Sequence, residues 1–149
     1  MRWFSSSKIY EHPEVESLLD ALIQGAQSRN NTTQREMCAN AVAVFASWSL
    51  KDMKANTSSN ADQTTATVVP ANIYSLIRRV ESNSNHPDLF RRLSSVLCFS
   101  RIFIVIKDHE ALVDKFCLSI SSSVLCCLKM CHNTAEMSQE VIEQCKELL

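Results

Sequence analysis

The densest gathering of residues able to do chemistry is Cys126, Cys127, Cys131 and His132. A structural zinc site wants four such ligands converging on the metal, commonly through C-x2-C pairs. No C-x2-C spacing occurs in the chain. On a helix Cys127 and Cys131 share a face, His132 lies one step round, and the adjacent Cys126 points elsewhere. Buried thiols account for this cluster better than a metal site. The other chemistry open to these residue types is a Cys–His nucleophile pair, whose partners meet in space rather than in sequence. Most of the cysteines (Cys38, Cys98, Cys117, Cys126, Cys127, Cys131, Cys145) fall on apolar helix faces, where burial raises the thiol pKa and leaves it inert. The remaining histidines, His12, His86 and His109, stand at predicted helix starts, where turn and capping roles suit them. Gly25 is the only glycine, so no Gly-rich loop exists here to cradle a phosphate. No catalytic, cofactor-binding or metal residue is assigned, and no cofactor or small-molecule ligand is expected.

Charged and hydroxyl groups offer two weaker signals. Arg78, Arg79, Arg91, Arg92 and Arg101 come from neighbouring helices and could form a ridge for a nucleic-acid backbone. Pairing with Glu81, Asp88 or Asp108 on ordinary helix surfaces is the favoured reading. Thr33-Gln34 and Ser138-Gln139 each place a hydroxyl before glutamine, as some Ser/Thr kinases prefer, but both lie in first helical turns, partly protected.

Positioning elements follow from composition and periodicity. The chain has 149 residues, 46% hydrophobic and 21% charged, with one Gly and three Pro. Sheets joined by tight turns need more glycine, so an all-α fold leads. The net charge of -1 gives no basic signature for nucleic acid. An odd count of seven cysteines, with no secretory core in MRWFSSSKIY, points to a reducing intracellular compartment. Ile102 to Ile106 is much too short to span a bilayer, and no membrane partner is expected.

In chain order, Trp3 and Phe4 stand in what looks like the last turns of a helix begun upstream. Pro13 to about Ser28 makes a helix with Val15, Leu18, Leu19, Leu22, Ile23 and Ala26 inward, and Gly25 marks a close helix contact or an early end. Thr33 to Glu36 resembles a capping box for a helix to about Lys54, with Met37, Ala41, Val44, Phe45 and Trp48 inward. Ala55 to Val69 is rich in Ser, Thr and Asn and predicts a flexible loop. Helix resumes at Pro70, with Ile73, Leu76, Ile77 and Val80 inward. Pro87 and Asp88 open the helix to Lys107, Asp108 caps one to about Cys131, and Asn133 to Glu136 opens a last one. The helix after Asp108 is apolar nearly all round, so neighbours should cover it on more than one side.

Three helical hairpins result, about 13–54, 70–107 and 108–149, cut at both ends. Their second helices start near Thr33, Pro87 and Thr134. Allowing for the polar insertion, that spacing is near the 40–47 residues of HEAT and armadillo units, which predicts an α-solenoid.

The segments EVESLLDALIQGAQ, QREMCANAVAVFASWSLK, ANIYSLIRR, HPDLFRRLSSVLCFSRIF, HEALVDKFCLSI and VIEQCKELL add a resemblance. In that order they are similar to the helical scaffold of the DNA-dependent protein kinase catalytic subunits, within the phosphatidylinositol-3-kinase-related kinase family. Only the loop from Ala55 to Val69 departs from the pattern. The resemblance implies a non-catalytic HEAT-repeat scaffold fragment whose parent carries its kinase domain elsewhere. It implies nuclear localisation and a role in non-homologous end joining of DNA double-strand breaks. Its implied partners are Ku, double-stranded DNA and the rest of the same polypeptide's solenoid. A generic HEAT-like protein-interaction adaptor, unrelated to DNA repair, is the alternative, and a small Cys/His enzyme the third.

Overall fold

The structure is a computed structural model that describes residues 13–57 and 71–131, with positions 139, 142, 143, 145 and 146 beyond them. The helices bounded by described residues are α1 (Pro13–Gly25), α2 (Thr32–Thr57), α3 (Ala71–Glu81), α4 (Leu89–Ile106) and α5 (Glu110–Cys131). No strand occurs among the described residues, so the fold is all-α. Asn133 to Glu136, the reading of Trp3 and Phe4, and most of the 55–69 stretch lie outside the described residues. Ala55 to Thr57, expected in that loop, continue α2 instead.

Local chemistry sets the helix starts. Asp88 is the N-cap of α4, in extended backbone, and its Oδ1 accepts the Phe90 N–H at 2.8 Å. Asn31 does the same for α2, accepting the Gln34 N–H at 2.9 Å. The cap of α2 is therefore Asn31, not the Thr33 box the sequence suggests, and Glu36 is free to bind another helix. At α5 the carbonyl of His109 receives Leu112 and Val113, so His109 rather than Asp108 stands at the helix start.

α4 is the hub, packing against α2, α3 and α5. Its buried stretch includes Leu93, Val96, Leu97, Phe99, Ile102 and Ile106. The largest helix–helix interface joins it to α2, which offers mainly small residues: Ala39, Val42, Ala43 and Ala46, with Leu50. This reverses the expected face of α2. Met37 and Val44 are exposed, while Ala41, Phe45 and Trp48 are only half-buried. Small side chains face α4 because they let two helix backbones approach while α4 supplies the bulk.

Gly25 is both the last residue of α1 and a point of close approach. A Cβ there would lie 2.6 Å from Cys38 Sγ on α2. Leu18, expected inward, is 52% exposed.

Cross-helix contacts advance evenly along the chain. Tyr74 meets Phe116, Glu81 accepts from Ser119, and Asn85 accepts from Cys126, so α3 and α5 run in the same direction. Hydrogen-bonded partners on this pair lie 38 to 43 residues apart. One step earlier, Asp20–Arg79 joins α1 to α3, Arg29–Asp88 joins the residues before α2 and α4, and Glu36–Arg101 joins those helices. Here the interval is 59 to 65 residues.

α5 is not covered on several sides as its composition suggests. Among the described residues Leu118 is 82% and Leu125 55% exposed. Its Glu110–Lys129 stretch is long and apolar enough to cross a membrane by length and composition alone. Yet Leu112, Phe116, Ile120, Val124 and Cys127 on one side of it join the common core.

Candidate functional site

The two described side chains of the cysteine cluster, Cys126 and Cys127, turn to different partners. Cys126 Sγ donates to Asn85 Oδ1 and Cys127 Sγ to the Ser84 carbonyl, both staples between α5 and the turn after α3. His132 and the Cys131 side chain lie outside the described residues. Cys145 is buried, with its Sγ toward the Val124 carbonyl. Cys98 is fully buried in α4, and desolvation, with a smaller contribution from Cys38, pushes its thiol up to about 12. Cys38 is raised too, again by burial. Such thiols are poor nucleophiles at neutral pH. Among the described residues no three His, Cys, Asp or Glu gather as a metal site.

The arginines are mostly absorbed into the fold. Arg79 binds Glu16 and Asp20 of α1 at 3.0 and 2.6 Å. Arg101 binds Glu36 at 2.6 Å, and Arg78 approaches Glu81 at 3.8 Å while donating to the Tyr74 hydroxyl. No shared ridge forms. Asp88, expected to serve one of these five arginines, is bound at 2.7 Å by Arg29 instead.

What does recur is a polar junction at the start of α2 and of α4. In each, an Asn or Asp caps the helix and an arginine follows four residues later, as Asn31/Arg35 and Asp88/Arg92. Both arginines are buried, at 2% and 3% exposure. Arg35 donates to the carbonyls of Ser28 and Arg29 and to Thr32 Oγ1. Arg92 donates to the carbonyls of His86 and Pro87, each at 2.8 Å. Each guanidinium thus ties down the turn that leads into its helix. His86 helps, its Nδ1 accepting the Asp88 N–H at 3.0 Å.

The two junctions meet. Arg29 and Arg35 both lie over the Phe90 ring, at 5.5 and 5.9 Å. Beside them opens a shallow groove of about 550 Å³, lined by Gln24, Ser28, Gln34, Phe90 and Arg91 among others. Asp88 is the group whose ionisation this environment alters. Burial opposes its charge, but the Phe90 N–H and Arg29 outweigh burial and hold its carboxyl below the usual range. The chain offers here a packing and positioning chemistry: donors, caps and ion pairs that fix one helix pair on the next. Sequence reasoning missed Arg35 and Arg29. For Arg35 the signal was present in the repeated cap-then-arginine spacing, Asn31/Arg35 and Asp88/Arg92.

These features define an all-helical packing segment. The family model for the DNA-dependent protein kinase catalytic subunit, CC1/2, matches residues 1–149, and the chain belongs to that family. The catalytic subunit from Canis lupus familiaris is 28% identical over 97% of this chain, and that from Xenopus laevis 28% identical over 99%. The Dictyostelium discoideum subunit is 26% identical over 87% of the chain. The chain spans 3% of the length of each of these relatives. The CC1/2 region takes up all of it, leaving no room for a kinase domain. No solved structure matches.

Proposed function

We propose that the chain is a non-catalytic stretch of α-solenoid, HEAT- or armadillo-like, serving as scaffold in a polypeptide of the DNA-dependent protein kinase type. The even advance of cross-helix contacts supports this most directly. Like helices meet in the same order at two successive steps, 59 to 65 residues and then 38 to 43, as in hairpins stacked in register with extra residues between the first and second. Side chains on these contacts are committed to neighbouring helices, which suits a structural role.

By its family the scaffold acts in the nucleus, in joining broken DNA ends together with Ku. Its task in that setting is mechanical, holding the curvature on which a distant kinase domain depends. The experiment breaks the stack inside the full-length polypeptide with Phe99→Asp in the centre of α4. Assembly on Ku-bound DNA ends should fall at least tenfold in a gel-shift, while DNA-independent phosphorylation of a short peptide persists. Unchanged assembly, with limited proteolysis proving the stretch unfolded, refutes the DNA-repair reading and favours an adaptor of another kind.

A further inference from the structure

A single exposed apolar side chain is ordinary on a protein surface, but α5 sets several in line. Leu118 and Leu125, 82% and 55% exposed, stand seven residues apart, and exposed Ala111 precedes Leu118 by the same step. At about 100° per residue the three fall within about 40° of one another. Leu112, Phe116, Ile120, Val124 and Cys127, which join the core, centre about 180° round the helix. α3 and the turn after it meet Phe116, Ser119 and Cys126, so they leave the line uncovered. A step of seven is the spacing by which one helix follows another along its length.

We infer that this line is a contact for a second copy of the chain, with α5 packed parallel and in register on α5 of the other copy. Charge placement selects that occupant. Asp114 lies about 40° to one side of Leu118 and Lys115 about 60° to the other. Both are exposed. A two-fold axis along the helices brings Lys115 of each copy opposite Asp114 of the other at the same height, giving two ion pairs. Antiparallel pairing would instead set Lys115 beside Lys129 of the other copy. Ser121 and Ser122, between the two leucines, are small enough to let the helices approach closely. Lys129 meets its counterpart at the C-terminal end of both helices, a cost that the helix dipoles lessen.

Sedimentation velocity of the native chain tests this. One helix pair is a small interface, so half-dimerisation is expected on the order of 10 μM. Leu118→Lys should weaken association at least tenfold and leave far-UV circular dichroism unchanged, because the side chain is exposed. Asp114→Lys should weaken it as much, and adding Lys115→Asp should restore it. Disulfide trapping reads the orientation, with the exposed Cys117 replaced in each variant by Cys117→Ser. Leu118→Cys should then cross-link to its own kind in air, as should Leu125→Cys, each mapped by peptide mass spectrometry. A disulfide that forms only when the two variants are mixed means an antiparallel contact and overturns the proposal. Failure of the charge exchange to restore association does the same. A native chain still monomeric at about 100 μM also overturns it, and assigns the face to a different helix.

Discussion

Arg92 shows how a charged residue enters a helical core without a carboxylate. Its head group donates twice to the backbone of the turn before α4, and Nε has no hydrogen-bond partner among the described residues. Burial of an unpaired charge is costly, so the two charge-assisted bonds and the packed stem must offset it. Arg92→Ala removes both bonds and leaves a void, and should cost about 3 kcal/mol in urea unfolding. Arg92→Met refills the volume without the donors and should recover roughly half of that loss. If Met matches the native stability, the turn-pinning bonds contribute nothing and the arginine is mere bulk. At this scale the sequence was only partly legible. Cys98, Cys127 and Cys145 are buried as their apolar neighbours demand, but Cys117 is exposed and Cys38 and Cys126 are half-buried, so the apolar-face reading holds for only part of the set. The spacing Asn31/Arg35 could have flagged Arg35, but Arg29 gave no warning, because stacking on Phe90 depends on how two separate turns meet.

Helix starts are where element-scale chemistry concentrates. Asp88 satisfies the first-turn Phe90 N–H and meets Arg29, which is 68% exposed and so screened by water and salt. Its cap bond is the larger share, and Asp88→Ala should cost about 1 kcal/mol at neutral pH. Asp88→Asn keeps an acceptor and should cost less. The folded carboxyl is held below its unfolded value, so its contribution is complete above the unfolded carboxylate range. It is lost as pH falls through the folded value. The native chain and Asp88→Asn should therefore differ most in thermal stability above the ordinary carboxylate range and converge as pH falls through and below it. Divergence that grows on acidification would contradict the assigned shift. Pro87-Asp88 made this start readable, as one proline and one acid fix it locally. The faces of α2 were not readable, because apolar residues surround that helix and periodicity alone cannot say which side meets α4. Only the partner's bulk decides in favour of the alanines.

At the scale of the whole molecule, the order of helices followed from capping and periodicity, and all-α from scarce glycine. The sequence hinted at repetition through spacing, but its residue-level self-similarity was weak. Contacts such as Glu36–Arg101 and Asn85–Cys126 bind residues that are 65 and 41 positions apart, beyond any local pattern. Those contacts carry a consequence for unfolding. α4 touches α2, α3 and α5, so removing its largest fully buried side chain disturbs every neighbour at once. Phe99→Ala should cost about 3–5 kcal/mol, a large part of the roughly 5–15 kcal/mol that stabilises a domain. Trp48 on α2 reports one side of the hub, and far-UV circular dichroism reports all the helices. Both signals should shift to lower urea together in Phe99→Ala, with coincident midpoints. If the Trp48 transition stays at its native midpoint while circular dichroism moves, the hairpins unfold independently and α4 is not their common core.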